Sequence, residues 1–335
     1  MDYLRNCWLP AVWSKDLRSK PVPIQVLDTR LVVFRNQDGQ AVVMEDRCPH
    51  RGVALSDGYA IDGGIMCAYH GWRFDGKGTC VKIPSLLPEE PLPDFRVPCY
   101  PTCEQEGTVW FTFSLGAKMP DLPAWRHLNA TYASTMIEIE GNYIHLMENL
   151  VDNPHAGFIH AGLIRGEPTQ RVQAEITETP SQIRIQTIGE KHNDSLLFKL
   201  LGKRGEEVNH IEEYLGPNQM VSTYEQRGYF AGVQSFIVPI SEHRTRWFFR
   251  TFLKFGPMTA LVFPIYRRVV HRILSQDAAV VKKVDEQDQL WPGRRTHSTR
   301  SDTPSVMVAR AARSYAKDGP RTDFTEHTRI ISYML

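Results

Sequence analysis

The chain has 335 residues, long enough for two domains with separate cores. Its 39 Lys and Arg against 38 Asp and Glu leave a net charge of +1, which excludes a whole-chain attraction to nucleic acid or to anionic membranes. Hydrophobic residues at 42% and aromatics at 10% are those of an ordinary globular protein. The first residues, MDYLRNCWLP, lack the apolar core of a secretion signal. The longest apolar stretch, 255–266, is interrupted by Gly256, Pro257 and Pro264, too short to span a bilayer and expected to pack in a core or interface. Six cysteines, at 7, 48, 67, 80, 99 and 103, show no spacing that demands a disulfide framework, so a reduced, cytoplasmic setting is expected.

Residues 1–118 are predicted to form short strands separated by turns. Val32-Val33-Phe34 leads through Asn36-Gln37-Asp38-Gly39, a hairpin signal, into Ala41-Val42-Val43-Met44. Thr108-Val109-Trp110-Phe111-Thr112-Phe113 is a further strand candidate, and the proline-rich stretch 84–101 argues for extended loop. Within this part lie Cys48-Pro49-His50 and Cys67-Ala68-Tyr69-His70, with sixteen residues, 51–66, between them. Two thiolates and two imidazoles at this spacing suit a [2Fe-2S] cluster in which histidines replace cysteines on one iron, which raises its potential to roughly −150 to +300 mV. Zinc also accepts mixed cysteine and histidine ligands, but it does not explain the glycine-rich loops. Gly52 and Gly71 permit the close backbone approach that N–H donors to cluster sulfides require. Trp72 is expected to pack beside the cluster, and Cys80, outside both pairs, to be a small buried residue.

Residues 118–123, with Pro120 and Pro123, are predicted to be a linker into a second part, 119–335. There, 132–140 alternates like a strand and 142–150 suits a helix. Strands are predicted at 171–178, 182–187, 219–224, 233–238 and 245–253, and a charged helix at 277–290. An antiparallel sheet wrapped around helices, an α+β arrangement, follows. The segment 148–160, ENLVDNPHAGFIH, presents Asp152, then His155, then His160. Residues three apart share a helix face, so Asp152 and His155 project together. His160 lies about 140° further round an ideal helix, so both histidines face one metal only if the helix is distorted. Pro154 supplies a reason for distortion, with Asn153 as a cap before it. Two histidines and a carboxylate on one face, with open positions, hold non-haem Fe(II) in oxygen-activating enzymes. The carboxylate candidates downstream are Asp277, Asp285, Glu286 and Asp288. Pocket walls are expected from 195–270, which mixes Phe198, Leu200, Tyr229, Phe230, Phe236, Phe248 and Phe252 with Arg204, His210 and Glu213. No glycine fingerprint for a nucleotide follows a strand, so any nicotinamide or flavin chemistry belongs on another chain.

CPHRGVALSDG and CAYHGWRFDGKGTC, followed by Ile83-Pro84, resemble a Rieske protein. Asn142-Tyr143, Glu-Asn-Leu, Asp-x-x-His and the later His160 resemble the mononuclear-iron motif of Rieske non-haem iron oxygenases, the phthalate-dioxygenase and O-demethylase-like branch. The resemblance implies an N-terminal all-β Rieske domain, with Cys48, His50, Cys67 and His70 as cluster ligands and Pro84 on a covering loop. It implies a C-terminal helix-grip-type antiparallel sheet domain with helices. His155, His160 and Asp277 are then the ligands of a mononuclear Fe2+. Ser275-Gln276-Asp277-Ala278-Ala279-Val280 fits the family's third-ligand helix best, although Gln276 stands where an acidic residue is usual. Asp152 is implied to bridge His155 to His70 of a neighbouring subunit in a head-to-tail homotrimer. The implied function is that of a terminal oxygenase, using O2 and electrons from NAD(P)H through a separate reductase and a ferredoxin, to hydroxylate or demethylate a small organic molecule. The alternative is a Rieske-type electron carrier with an appended non-catalytic domain.

Overall fold

The computed structural model describes residues 1–119, 130–191, 196, 205–226, 229–321 and 324–335. The linker expected from residue 120 onward, and Phe198, Leu200 and Arg204, lie outside the described residues. The chain divides into two compact units, Met1–Leu122 and Pro123–Leu335.

The first unit is built from three small antiparallel sheets. One joins Leu9–Trp13, Thr108–Phe111 and Thr102–Gln105. Another joins Val22–Val26, Thr29–Arg35, Ala41–Glu45 and Cys99–Tyr100. The turn at Asn36 forms as its composition requires. Asn36 Oδ1 accepts from the Asp38 and Gln40 N–H groups at 3.1 and 2.9 Å, and Gly39 takes φ +74°. The third sheet, Tyr59–Ile61, Gly64–Met66, Arg73–Asp75 and Cys80–Lys82, carries the second Cys-His loop at its centre. The proline-rich stretch contributes only the two-residue strand Cys99–Tyr100, because proline cannot donate to a ladder. Val32, Phe34, Met44, Leu55, Ile65 and Phe74 form a core that includes Cys48 and Cys67. Cys80 is buried in the same core, with Sγ directed to the Lys82 carbonyl at 3.8 Å.

The second unit holds an eight-stranded antiparallel sheet. Its strands are β1 (Thr131–Ile139), β2 (Arg171–Glu178), β3 (Gln182–Ile188), β4 (Asn209–Leu215), β5 (Gln219–Gln226), β6 (Tyr229–Ser241), β7 (Arg244–Lys254) and β8 (His327–Met334). Their order is β1-β7-β6-β5-β4-β3-β2-β8. Alternate residues of β2, β3 and β4 are buried, the period-two pattern of a sheet with one covered face. Among the described residues, the helices beside it include α1 (Tyr143–Asn149), α2 (Thr259–Leu290) and α3 (Thr303–Asp318). This is the expected α+β class.

Helix α2 begins well before the predicted 277. Val262, Tyr266, Val269, Val270, Ile273, Leu274, Asp277 and Val281 recur at three- and four-residue steps and are buried, so one stripe faces the core. Pro264 does not stop the helix. It sits in the second turn on the exposed side, where it removes a single N–H bond. Among the described residues, no helix is long and apolar enough to cross a membrane.

Candidate metal centres and the adjoining pocket

The two Cys-His loops are built alike. The Val53 carbonyl accepts from Cys48 N–H at 2.8 Å, and the Cys48 carbonyl accepts from Gly52 N–H at 2.9 Å. In the second loop the Trp72 carbonyl accepts from Cys67 N–H at 2.8 Å, and the Cys67 carbonyl from Gly71 N–H at 3.1 Å. Gly52 and Gly71 take φ of +76° and +67°, the left-handed region that closes each tight turn. Both cysteines are 2% exposed, and the His50 and His70 rings meet edge to face with centroids 4.5 Å apart. Trp72 stacks on His50 at 4.6 Å, the neighbourhood expected for it.

These donors fit a bound cluster. Burial, then the adjacent Cys67 thiol, pushes the Cys48 thiol up to about 11, a cost that a cationic centre removes by taking the thiolate. Desolvation, then the neighbouring His70 and Arg51, lowers the pKa of His50, which favours the neutral imidazole that ligates metal.

In the second unit, Asn142 caps α1, its Oδ1 accepting from Ile144 N–H at 2.9 Å. The helix ends at Asn149, and Asn153–Gly157 makes a separate 3-10 turn with Pro154 near its start. The turn ends at Gly157, so no continuous helix joins His155 to His160, which is the distortion expected between the histidines. Asp152, not Asn153, occupies the cap position of the turn, and the Asn153 side chain instead donates to Glu212 at 3.0 Å and Thr187 at 3.4 Å. His155 Nε2 and His160 Nε2 lie 3.2 Å apart. Asp277 Oδ1 is 3.2 Å from the first and 2.9 Å from the second.

His160 Nδ1 meets Gln276 Oε1 at 3.0 Å, which places the ring proton on Nδ1 and leaves the Nε2 lone pair facing His155 and Asp277. His155 Nδ1 is buried without a hydrogen bond, 3.7 Å from Asp152 Oδ2. Burial opposes charge on His155, but the Asp152 and Asp277 carboxylates outweigh it and raise its pKa to about 9. Asp277 is likewise burdened by burial yet lowered by His155 and His160. The three ligand atoms converge within 4.8 Å of one another, a donor set that a divalent cation satisfies. The other three acidic candidates lie in different contacts. Asp285 accepts from Asn142 N–H and faces His243, Asp288 pairs with His145, and Glu286 pairs with Lys282.

A cavity of about 880 Å³, mouth included, opens beside His155, His160 and Asp277. Its apolar walls come from the buried stripe of α2, through Tyr266, Val270, Ile273 and Leu274, and from Met220 and Val233 on the sheet. Of the predicted phenylalanines, the described ones, Phe230, Phe236, Phe248 and Phe252, are not among its described lining residues. Phe236 and Phe248 pair across β6 and β7 in the core, as does Phe252 beside Gly232. Glu212, not Glu213, reaches the cavity, since neighbouring residues of a strand face opposite ways.

The polar end of the cavity rests on a buried ionic network that the sequence reading missed. Arg165 donates through Nε at 3.1 Å and Nη2 at 2.5 Å to Glu190 Oε1. His210 Nδ1 donates to Glu190 Oε2 at 2.8 Å, and His210 Nε2 is 3.4 Å from Glu212 Oε1. Burial resists ionisation of Glu190, but Arg165 and His210 prevail and lower its pKa to about 2. Burial works against charge on His210 too, yet Glu190 and Glu212 raise it to about 9. The available signal was the alternation in NHIEEYL, where His210, Glu212 and Tyr214 share the buried face of β4.

Residues 7–101 match the family model of the Rieske [2Fe-2S] domain, and residues 139–318, more than half the chain, match the vanillate O-demethylase oxygenase C-terminal domain. The chain therefore belongs to the family of Rieske oxygenases with a vanillate O-demethylase-type C-terminal domain, and its first unit is a [2Fe-2S] domain. It is 36% identical over 165 residues to the 3-chlorobenzoate-3,4-dioxygenase oxygenase subunit of Comamonas testosteroni, covering 48% of this chain and 38% of that protein. It is 30% identical over 194 residues to the dicamba O-demethylase oxygenase component of Stenotrophomonas maltophilia, covering 55% of this chain and 56% of the relative. These matches span about half or less of the relatives' length. The fold is that of dicamba monooxygenase bound to dicamba, with a TM-score of 0.79, 22% identity, and coverage of 94% of this chain and 98% of the other.

Proposed function

We propose that the protein is the terminal oxygenase component of a Rieske oxygenase system, hydroxylating or oxidatively demethylating a small, mostly apolar molecule. The observation that carries this reading is the convergence of His155, His160 and Asp277 on the wall of an apolar cavity. An electron carrier with an inert second domain needs neither the donor set nor the cavity. When bound, the cluster held by Cys48, His50, Cys67 and His70 supplies single electrons, and Fe2+ at the second site supplies open coordination positions for O2. The chain's residues do the rest. Gln276 fixes the tautomer of His160, the α2 stripe excludes water, and the cavity holds the reacting carbon beside the three ligands. The relatives' names span dioxygenation and O-demethylation, and the demethylase-type C-terminal domain favours the latter for this chain.

Asp152 is assigned the electron bridge. Its side chain is 31% exposed, beside His155, and His70 is exposed in the first unit. A homotrimer closed head to tail would bring the partner subunit's His70 to Asp152. Electrons would come from NAD(P)H by way of a separate reductase and a ferredoxin, in the reduced setting of the cytoplasm. The test is purified protein with a surrogate reductase, NADH and a panel of small aromatics, sterols and alkaloids, read by product mass. Gain of oxygen or loss of a methyl group is expected, abolished by a ferrous chelator that leaves the cluster's colour. Product formation indifferent to removal of the mononuclear iron would contradict the reading.

A further inference from the structure

We propose that the pocket takes an uncharged substrate bearing an O–H or N–H donor, anchored on Glu212, and selects against aryl carboxylates. The inference rests on the oxygenase reading of the same cavity. Glu212 is 5% exposed and lines the cavity. Its Oε2 accepts from Asn153 Nδ2 at 3.0 Å and its Oε1 faces His210 Nε2 at 3.4 Å. A carboxylate offers about four lone-pair directions, so acceptor capacity remains for a ligand. Ser222, directly opposite Glu212 in the β4–β5 register, lines the same cavity. A hydroxyl can donate to Glu212 while accepting from the Ser222 O–H. Asn153 adjoins Asp152 and lies two residues before His155, so a donor held on Glu212 sits toward the end of the cavity that bears the histidines.

An anion is treated differently. Arg165 is the one guanidinium or ammonium group among the described lining residues, and Nε and Nη2 are both committed to Glu190. Its Nη1 donates to the Asn153 carbonyl and to Asn153 Oδ1, both at 3.4 Å, so to turn toward a ligand carboxylate Arg165 would have to give up contacts to Asn153 or to Glu190, a partner that is 2% exposed. The ligand would also bring its charge beside Glu212 in a poorly solvated space, where like charges repel strongly.

Calorimetry under anaerobic conditions, on protein loaded with both metal groups, tests this with benzyl alcohol, benzyl methyl ether and benzoate. The alcohol is expected to bind about tenfold tighter than benzoate, and tighter than the ether, which lacks the donor. In Glu212→Gln, which removes the charge but keeps an acceptor, benzoate is expected to gain about tenfold while the alcohol changes little. Benzoate binding as tightly as the alcohol, an alcohol no tighter than the ether or without measurable binding, or a Gln variant that still rejects benzoate would overturn the proposal. Should the variant not fold, the three wild-type affinities decide alone. Iron analysis of the same samples separates the two readings: an iron-loaded protein that prefers benzoate defeats this inference and leaves the oxygenase reading standing.

Discussion

The two histidines of the second site are set by what their outer nitrogens touch. Gln276 holds Nδ1 of His160, while Nδ1 of His155 is buried without a hydrogen bond, 3.7 Å from Asp152 Oδ2. An Asp152→Asn substitution keeps the shape and removes the charge. Both metal groups are expected to stay bound while NADH-coupled product formation falls about a hundredfold or more, measured beside iron and sulfide content. An unchanged rate at full metal content would remove Asp152 from the electron route. At this scale the sequence pointed to side chains that the fold does bring together, because Asp152, His155 and His160 sit within nine residues of one another. It was silent on Arg165 and Glu190, which meet across 25 residues with no local pattern to announce the pair.

Among the elements, the Cys-His loops were the most legible, since each is a local turn closed by a glycine of positive φ. Gly71 stands at φ +67°, and a Cβ built there would lie 3.2 Å from Pro84 Cγ. Gly71→Ala is expected to cost about 1–2 kcal/mol and to lower the temperature at which the cluster's visible absorption is lost. An unchanged melting temperature would show that the loop tolerates another backbone conformation. Strands β4 and β8 escaped the sequence reading. The first carries two glutamates, of which Glu212 is buried by charge pairing, and β8 is an edge strand largely exposed. Helix α2 is expected from the sequence only over 277–290, and Gly256, Pro257 and Pro264 interrupt the apolar pattern upstream. The buried stripe from Val262 onward outweighs one missing hydrogen bond.

Over the whole molecule, the two-part organisation and the α+β class followed from motif order and strand patterning, whereas the cavity's walls depended on tertiary pairing. The buried network also sets a pH profile for stability. The Glu190 pKa is lowered from 4.5 to about 2, so its contribution is present above 4.5 and lost as pH falls toward 2. The His210 pKa is raised from 6.5 to about 9, so its contribution is full below 6.5 and lost as pH rises through 9. Urea midpoints are therefore expected to decline on both sides of a plateau near pH 5–6. Glu190→Gln should flatten the acid limb, and an acid limb unaltered in that variant would assign it to other carboxylates.

The most direct test of two separate metal centres is the ratio of iron to acid-labile sulfide after anaerobic reconstitution with excess ferrous salt and sulfide. A value of about 3:2 is expected for the wild type and about 2:2 for His155→Ala. A wild-type ratio that stays at about 2:2, with His155 and His160 intact, would contradict the account.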